Sequence, residues 1–182
     1  VADNSRSRPQ LGSTIRPTVR AVLDRLEPTP SLVINRVGDI IAWTLGGERL
    51  FGPIGLLDGS PPNVSRYVFT DARARRVMTD WSRVADATLH QLRRSGDSPE
   101  ANALIAELSR DCGTDFTDRL QAIAGTGAAF GEAPVQHPTA GPLRLAYETL
   151  DLSIVDDQYL VICLPADDRT RQAFDRLADS PD

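Results

Sequence analysis

Residues 30–51 read PSLVINRVGDIIAWTLGGERLF. Two apolar runs, 31–35 and 39–44, flank a turn at Gly38, and a Gly46-Gly47 step leads into a short helical piece through Phe51. Short apolar runs on either side of a turn glycine predict an antiparallel hairpin. Nothing in the stretch sets a nucleophile beside a base or gathers metal ligands. An apolar hairpin ending in a tryptophan is suited to walling something in.

On its N-terminal side, Ile15, Val19, Val22, Leu23 and Leu26 recur at helical spacing, and Pro28 and Pro30 stop the helix. Residues 1–13 are polar and punctuated by Pro and Gly, the composition of a disordered leader or linker. On the C-terminal side, 52–63 reads as a loop, and helices are predicted over about 64–78 and 81–94. The second carries Trp81, Val84, Ala85, Thr88 and Leu92 on one face. A further helix starts with Ser98 as N-cap and Pro99 at its first position, and another follows Thr114.

After Gly125 the period becomes that of strands. Residues 129–136 form a weak strand interrupted by Pro134, and Leu143, Leu145 and Tyr147 alternate with polar or small residues. At Thr149 the apolar phase slips to Leu150 and Leu152, which predicts a bulge or a change of partner. The run YLVICL (159–164) is apolar on both faces, a central strand, and a helix near 170–178 closes the chain. Strands gathered at the two ends with helices between them predict an α+β fold. One sheet of about five antiparallel strands would be covered on one face by about four helices, in a single domain.

Composition narrows the chemistry. All 20 basic residues are arginine, which excludes a P-loop, a pyridoxal-phosphate Schiff base and Ser-Lys hydrolysis, each of which needs a lysine. No apolar run approaches the ~20 residues of a membrane helix. Cys112 and Cys163 form no C-x-x-C unit, in keeping with a cytoplasmic, reducing setting. The net charge of −5 is uneven: residues 1–26 set five Arg against Asp3 and Asp24, so the rest of the chain is strongly acidic. An acidic body repels a phosphate backbone and is a poor direct DNA reader.

Candidate sites are sparse. GTGAAFG (125–131) follows a helix and precedes a strand, the wrong context for a dinucleotide loop. His90 and His137 have no Cys or carboxylate at ligand spacing, so no metal and no cofactor is expected. His137, before Pro138, reads as a strand-end cap, Cys112 as core, and the pairs 156–157 and 167–168 as turn carboxylates. The aromatic residues Trp43, Phe69, Trp81 and Tyr147 stand on elements expected to face one another across the sheet–helix boundary.

Taken in order, IRPTVRAVLDRLEPTPSLVINRVGDIIAW, NVSRYVFTDARAR, DWSRVA, LIAELS, HPTAGPLRLAYETLDL and QYLVI resemble the ligand-binding domain of MmyB-like, Xre-type helix-turn-helix transcription regulators over about Ile15–Leu177. The resemblance implies a bacterial protein with a PAS-like ligand-binding domain over 14–178. It implies a preceding DNA-reading helix-turn-helix domain outside this chain, with residues 1–13 as the linker, and a homodimer. It also implies a small apolar or amphiphilic effector, fatty-acid-like in the usual suggestion, and no enzymatic activity. Where the pattern has Ala-Trp-Asn this chain has Ala42-Trp43-Thr44. The Trp-x-x-His usual after Phe116 is missing, and the basic run expected before His137 is APVQ. On this reading Trp43, Phe69, Trp81 and Tyr147 line the effector pocket and the 15–26 helix links pocket to DNA reader. The alternatives are a ligand-free dimerisation or docking module with a filled core, and a small cavity enzyme using His137 or Glu148 as base.

Overall fold

The computed structural model describes residues 15–123, 128–153 and 157–179. Helix α1 (Pro17–Arg25) precedes the hairpin β1 (Ser31–Asn35) and β2 (Ile40–Trp43), followed by α2 (Leu45–Phe51), α3 (Val64–Thr70), α4 (Ala72–Val77), α5 (Trp81–Arg94), α6 (Pro99–Cys112) and α7 (Thr114–Ala122). Strands β3 (Phe130–His137), β4 (Gly141–Ser153) and β5 (Gln158–Pro165) and helix α8 (Asp168–Asp179) complete it. The five strands form one sheet in the order β2-β1-β5-β4-β3 with every pairing antiparallel. The fold is α+β, and the doubly apolar YLVICL run lies at its centre.

The opening hairpin shows why its residues are what they are. Gly38 adopts φ +87°, and the Asn35 carboxamide oxygen accepts from Val37 N (3.1 Å) and Asp39 N (2.9 Å), closing the turn. The Thr44 hydroxyl accepts from Ser31 N (3.0 Å) and Gly47 N (2.9 Å) and donates to Thr29 O (2.8 Å). It is therefore strand partner and helix N-cap at once. The Gly-Gly step packs against this knot: a Cβ at Gly46 would lie 1.9 Å from Pro28 O, and one at Gly47 2.8 Å from Ser31 O. Only glycine admits that approach of helix to strand.

Three sequence expectations change. The helix expected over 64–78 is two helices, because Asp71 is extended (ψ 121°) and turns its carboxylate onto Arg73 N (2.7 Å), capping α4. Strand β3 runs through Pro134 unbroken, since β3 is an edge strand and no sheet strand lies beyond it to need the missing N–H. There the Pro134 carbonyl accepts from Thr79 N at 3.3 Å. The phase does not slip at Thr149, which pairs in register with Val161; the irregularity lies between Asp151 and Ser153. Leu150 and Leu152 are instead apolar residues on the sheet's other face. The 1–13 leader and residues 125–127 and 156 lie outside the described residues.

The sheet buries one face and part of the other. One face gives Leu32, Ile34, Val135, Leu143, Leu145, Tyr159 and Cys163 to the main core, with Leu50, Phe51, Tyr67, Val68, Ala74, Val77 and Ala85 from α2–α5 and Ala173 from α8. Behind α5, Leu89, Leu92, Leu104, Leu108 and Phe116 form a separate helical cluster. On the opposite face Val33, Ala42 and Leu160 pack against Val19 and Leu23 of α1. Polar ties fix the cover: Asn63 caps α3 through Arg66 N (2.9 Å) and donates to Val37 O (3.1 Å) and Asp39 Oδ1 (2.7 Å), and Arg66 grips Glu107 at 2.6 and 2.9 Å. Ser98 and Pro99 begin α6 as expected, with Ala101 N donating to the Ser98 hydroxyl at 3.1 Å.

Candidate functional site

Between the sheet and α5 lies a cavity of about 400 Å³. Its floor is Leu32, Ile34, Leu145, Tyr147, Val161 and Cys163 on β1, β4 and β5, and its far wall is Leu50, Phe51, Ile54 and Val77. Helix α5 forms the roof through Val84, Ala87, Thr88 and Gln91. These positions recur at helical spacing on a side that bears small residues, while Ala85, Leu89 and Leu92 are wholly buried. The lining draws short side chains from both sides, Ala87 and Thr88 from α5 and Thr149 and Val161 from the strands, which leaves volume unfilled. That is why a cavity persists in an otherwise close-packed core.

The lining is mostly hydrocarbon, and its few polar groups have definite places. Thr88 donates its hydroxyl to Val84 O at 2.8 Å and so turns its methyl outward from the helix backbone. Burial pushes the Cys163 thiol up to about 12, which keeps it protonated and unreactive as part of an apolar wall. The far wall is anchored by Tyr67, whose hydroxyl donates to Ile54 O at 2.8 Å and whose pKa burial raises to about 12. Gln91 and Arg94 stand at the Tyr159 end of the cavity, where the Arg94 guanidinium lies 5.9 Å from the Tyr159 ring centre. At the Tyr147 end, Arg83 donates to Glu132 O and pairs with Asp80 at 3.1 Å.

Of the four aromatic candidates, Tyr147 lies on the cavity wall; Trp43, Phe69 and Trp81 do not. Trp81 donates its indole N–H to Val68 O (2.9 Å) beneath the Arg75 guanidinium at 3.7 Å, and Phe69 stands edge-on to Trp81 and Phe116 at 6.0 and 5.0 Å. These three rings make an aromatic joint within the helical layer. Trp43, the last residue of β2, packs at the margin of the main core. Sequence reasoning placed Val84 and Thr88 on the apolar face of this helix but missed Ala87 and Gln91. Their signal was present as a second stripe on α5, but small and polar residues do not stand out as a face meant for burial.

The bases considered for catalysis lie elsewhere. His137 is buried with Nε2 3.1 Å from Leu50 O and Nδ1 accepting from Ala140 N (3.0 Å) and Thr139 N (3.3 Å), and burial lowers its pKa. It is the strand-end cap the sequence suggested. Glu148 is exposed on the face away from the cavity, between Phe130 and Ile162. Asp167 caps α8 through Thr170 N at 2.8 Å, and Asp157 pairs with Arg36. Among the described residues no group of three or more His, Cys, Asp or Glu is placed to hold a metal ion.

An antiparallel sheet with a helical cover held off it by an apolar cavity is the architecture of a small-molecule-binding domain. The family model of the MmyB-like transcription regulator ligand binding domain matches residues 15–177, and the chain belongs to that family. No curated protein matches the chain. Among the described residues no helix is long and apolar enough to cross a membrane.

Proposed function

We propose that this chain is the effector-sensing domain of a DNA-binding transcription regulator, taking a small apolar or fatty-acid-like ligand into the cavity under α5. The observation that carries the reading is the cavity itself: about 400 Å³, apolar in its walls, within the size range of small-molecule sites. Tyr147 is the aromatic residue we assign to ligand contact. DNA would be read by a helix-turn-helix domain outside this chain, and the domain would act without catalysis, in the cytoplasm.

Transmission follows from strand geometry. Successive residues point to opposite faces, so β1 sends Leu32 and Ile34 to the cavity and Val33 to α1, while β5 sends Tyr159 and Val161 to the cavity and Leu160 to α1. A ligand that favours one seating of these strands biases the seating of α1. The test is to denature purified protein and search its organic extract by mass spectrometry for a stoichiometric amphiphile. A released fatty acid, displaceable by competition, supports the cavity reading. An empty extract together with no uptake of added fatty acid removes it.

One observation favours dimer support as a second role. Leu150, Leu164 and Phe130 are 46–65% exposed on the face that α1 leaves uncovered, and Val22 of α1 is 49% exposed. The same face carries the exposed Glu148 and Arg144, the latter paired with Glu132 at 2.5 Å. Sedimentation of the wild type against Leu150→Glu checks this: a dimer that the substitution dissociates supports it, and a monomeric wild type ends it.

A further inference from the structure

The Gln91 amide nitrogen is buried and makes no hydrogen bond among the described residues, while Gln91 itself lines the cavity. A buried donor without a partner is unfavourable, and natural interiors rarely keep one. Its surroundings give the cavity a polar end. Tyr159, Asp151 and Ile34 are paired neighbours at one end of the floor, and Arg94 lies over Tyr159. Cys163 and Tyr147 are paired neighbours at the other, roughly 13 Å away along the strands. Of the basic groups on α5, Arg83 is engaged with Asp80 and Glu132 at the Tyr147 end, and His90 and Arg94 stand near Gln91.

Resting on the cavity reading above, we infer that Gln91 is the recognition residue for the ligand's head group. Its N–H would donate to an acceptor oxygen, a carboxylate or carbonyl, at the Tyr159 end, with the hydrocarbon body running along Val161 toward Cys163 and Tyr147. Arg94, over the Tyr159 ring, supplies positive charge at that end. A ligand oriented this way places its apolar body beneath Ala87 and Thr88, where the core lacks volume.

The probes are dodecanoic acid and dodecylamine, which share a chain and differ in whether the head accepts or only donates. Calorimetric titration of the wild type, Gln91→Leu, Gln91→Glu and Ala87→Phe gives the answer, with a thermal melt of each ligand-free variant. The inference predicts dodecanoate binding that weakens about tenfold in Gln91→Leu, the worth of one good hydrogen bond, and further in Gln91→Glu. Gln91→Met, similar in length and without a donor, carries the same test if the leucine variant does not fold. Unchanged dodecanoate affinity in a folded Gln91→Leu overturns the assignment, as does a wild type that prefers dodecylamine. Failure of both probes to bind wild type, or full binding by Ala87→Phe, overturns the cavity reading and this inference with it.

Discussion

The two faces of the sheet share β1 and β5 and bury apolar residues to different ends. Toward α1 the packing is direct: Val33 and Leu160 meet Val19 and Leu23, and Leu23 is 1% exposed. Toward α5 the strands' apolar side chains join the main core and also line a cavity. Residues adjacent in sequence, Leu160 and Val161, thus do different work. The first holds the fold together, and the second shapes an empty space.

Truncation separates them most sharply. Leu160→Ala is expected to cost about 2–5 kcal/mol in denaturant unfolding, since it opens a cavity in a packed seam. Val161→Ala should cost about 1 kcal/mol or less, because its methyls already face a void. Equal costs would mean the cavity is closed in solution.

His137 joins the faces' common frame to α2. Removing it in His137→Ala strands Leu50 O and the Thr139 and Ala140 amides and should cost about 3 kcal/mol. Its pH signature has a definite sign. Burial holds the folded pKa below the ordinary 6.5, so the unfolded chain takes up the proton first. Stability from the neutral ring is full above about pH 6.5 and falls as pH drops toward the folded value. A conservative His137→Gln should be less sensitive than wild type to acidification over that window, measured as Tm against pH.

Filling the void should act the other way. Ala87→Phe is expected to add about 1 kcal/mol of stability while abolishing ligand uptake. A loss of stability would show that α5 cannot yield a ring's width. The smallest effect on folding belongs to the uncovered part of the α1 face: Leu150→Glu should change unfolding free energy by no more than about 0.5 kcal/mol while altering self-association.

Much of the frame is legible in the residues alone. Gly38, the Ser98-Pro99 start, the doubly apolar YLVICL and the pairing of strands from both ends are local patterns with local causes, and each stands where expected. The errors were also physical. Pro134 looked like a strand breaker because edge position is not written in a strand's own residues. Leu150 and Leu152 looked like a phase slip because the alternation that marks one buried face hides a second face that is partly covered. The four aromatic residues were grouped by size, yet Phe69 packs on Phe116 and Trp81 lies beneath the guanidinium groups of Arg75 and Arg119, away from the cavity.

The sequence by itself determined the α+β class, the opening hairpin, the Ser98 cap, the absence of lysine chemistry and the resemblance to a family of regulators, since each depends on neighbours along the chain or on composition. Only the tertiary structure decided where volume is missing. A cavity is a property of facing surfaces: Val84, Ala87 and Gln91 matter because they line one space together with Thr149 and Val161 of β4 and β5. No window of the chain contains both sides of that gap.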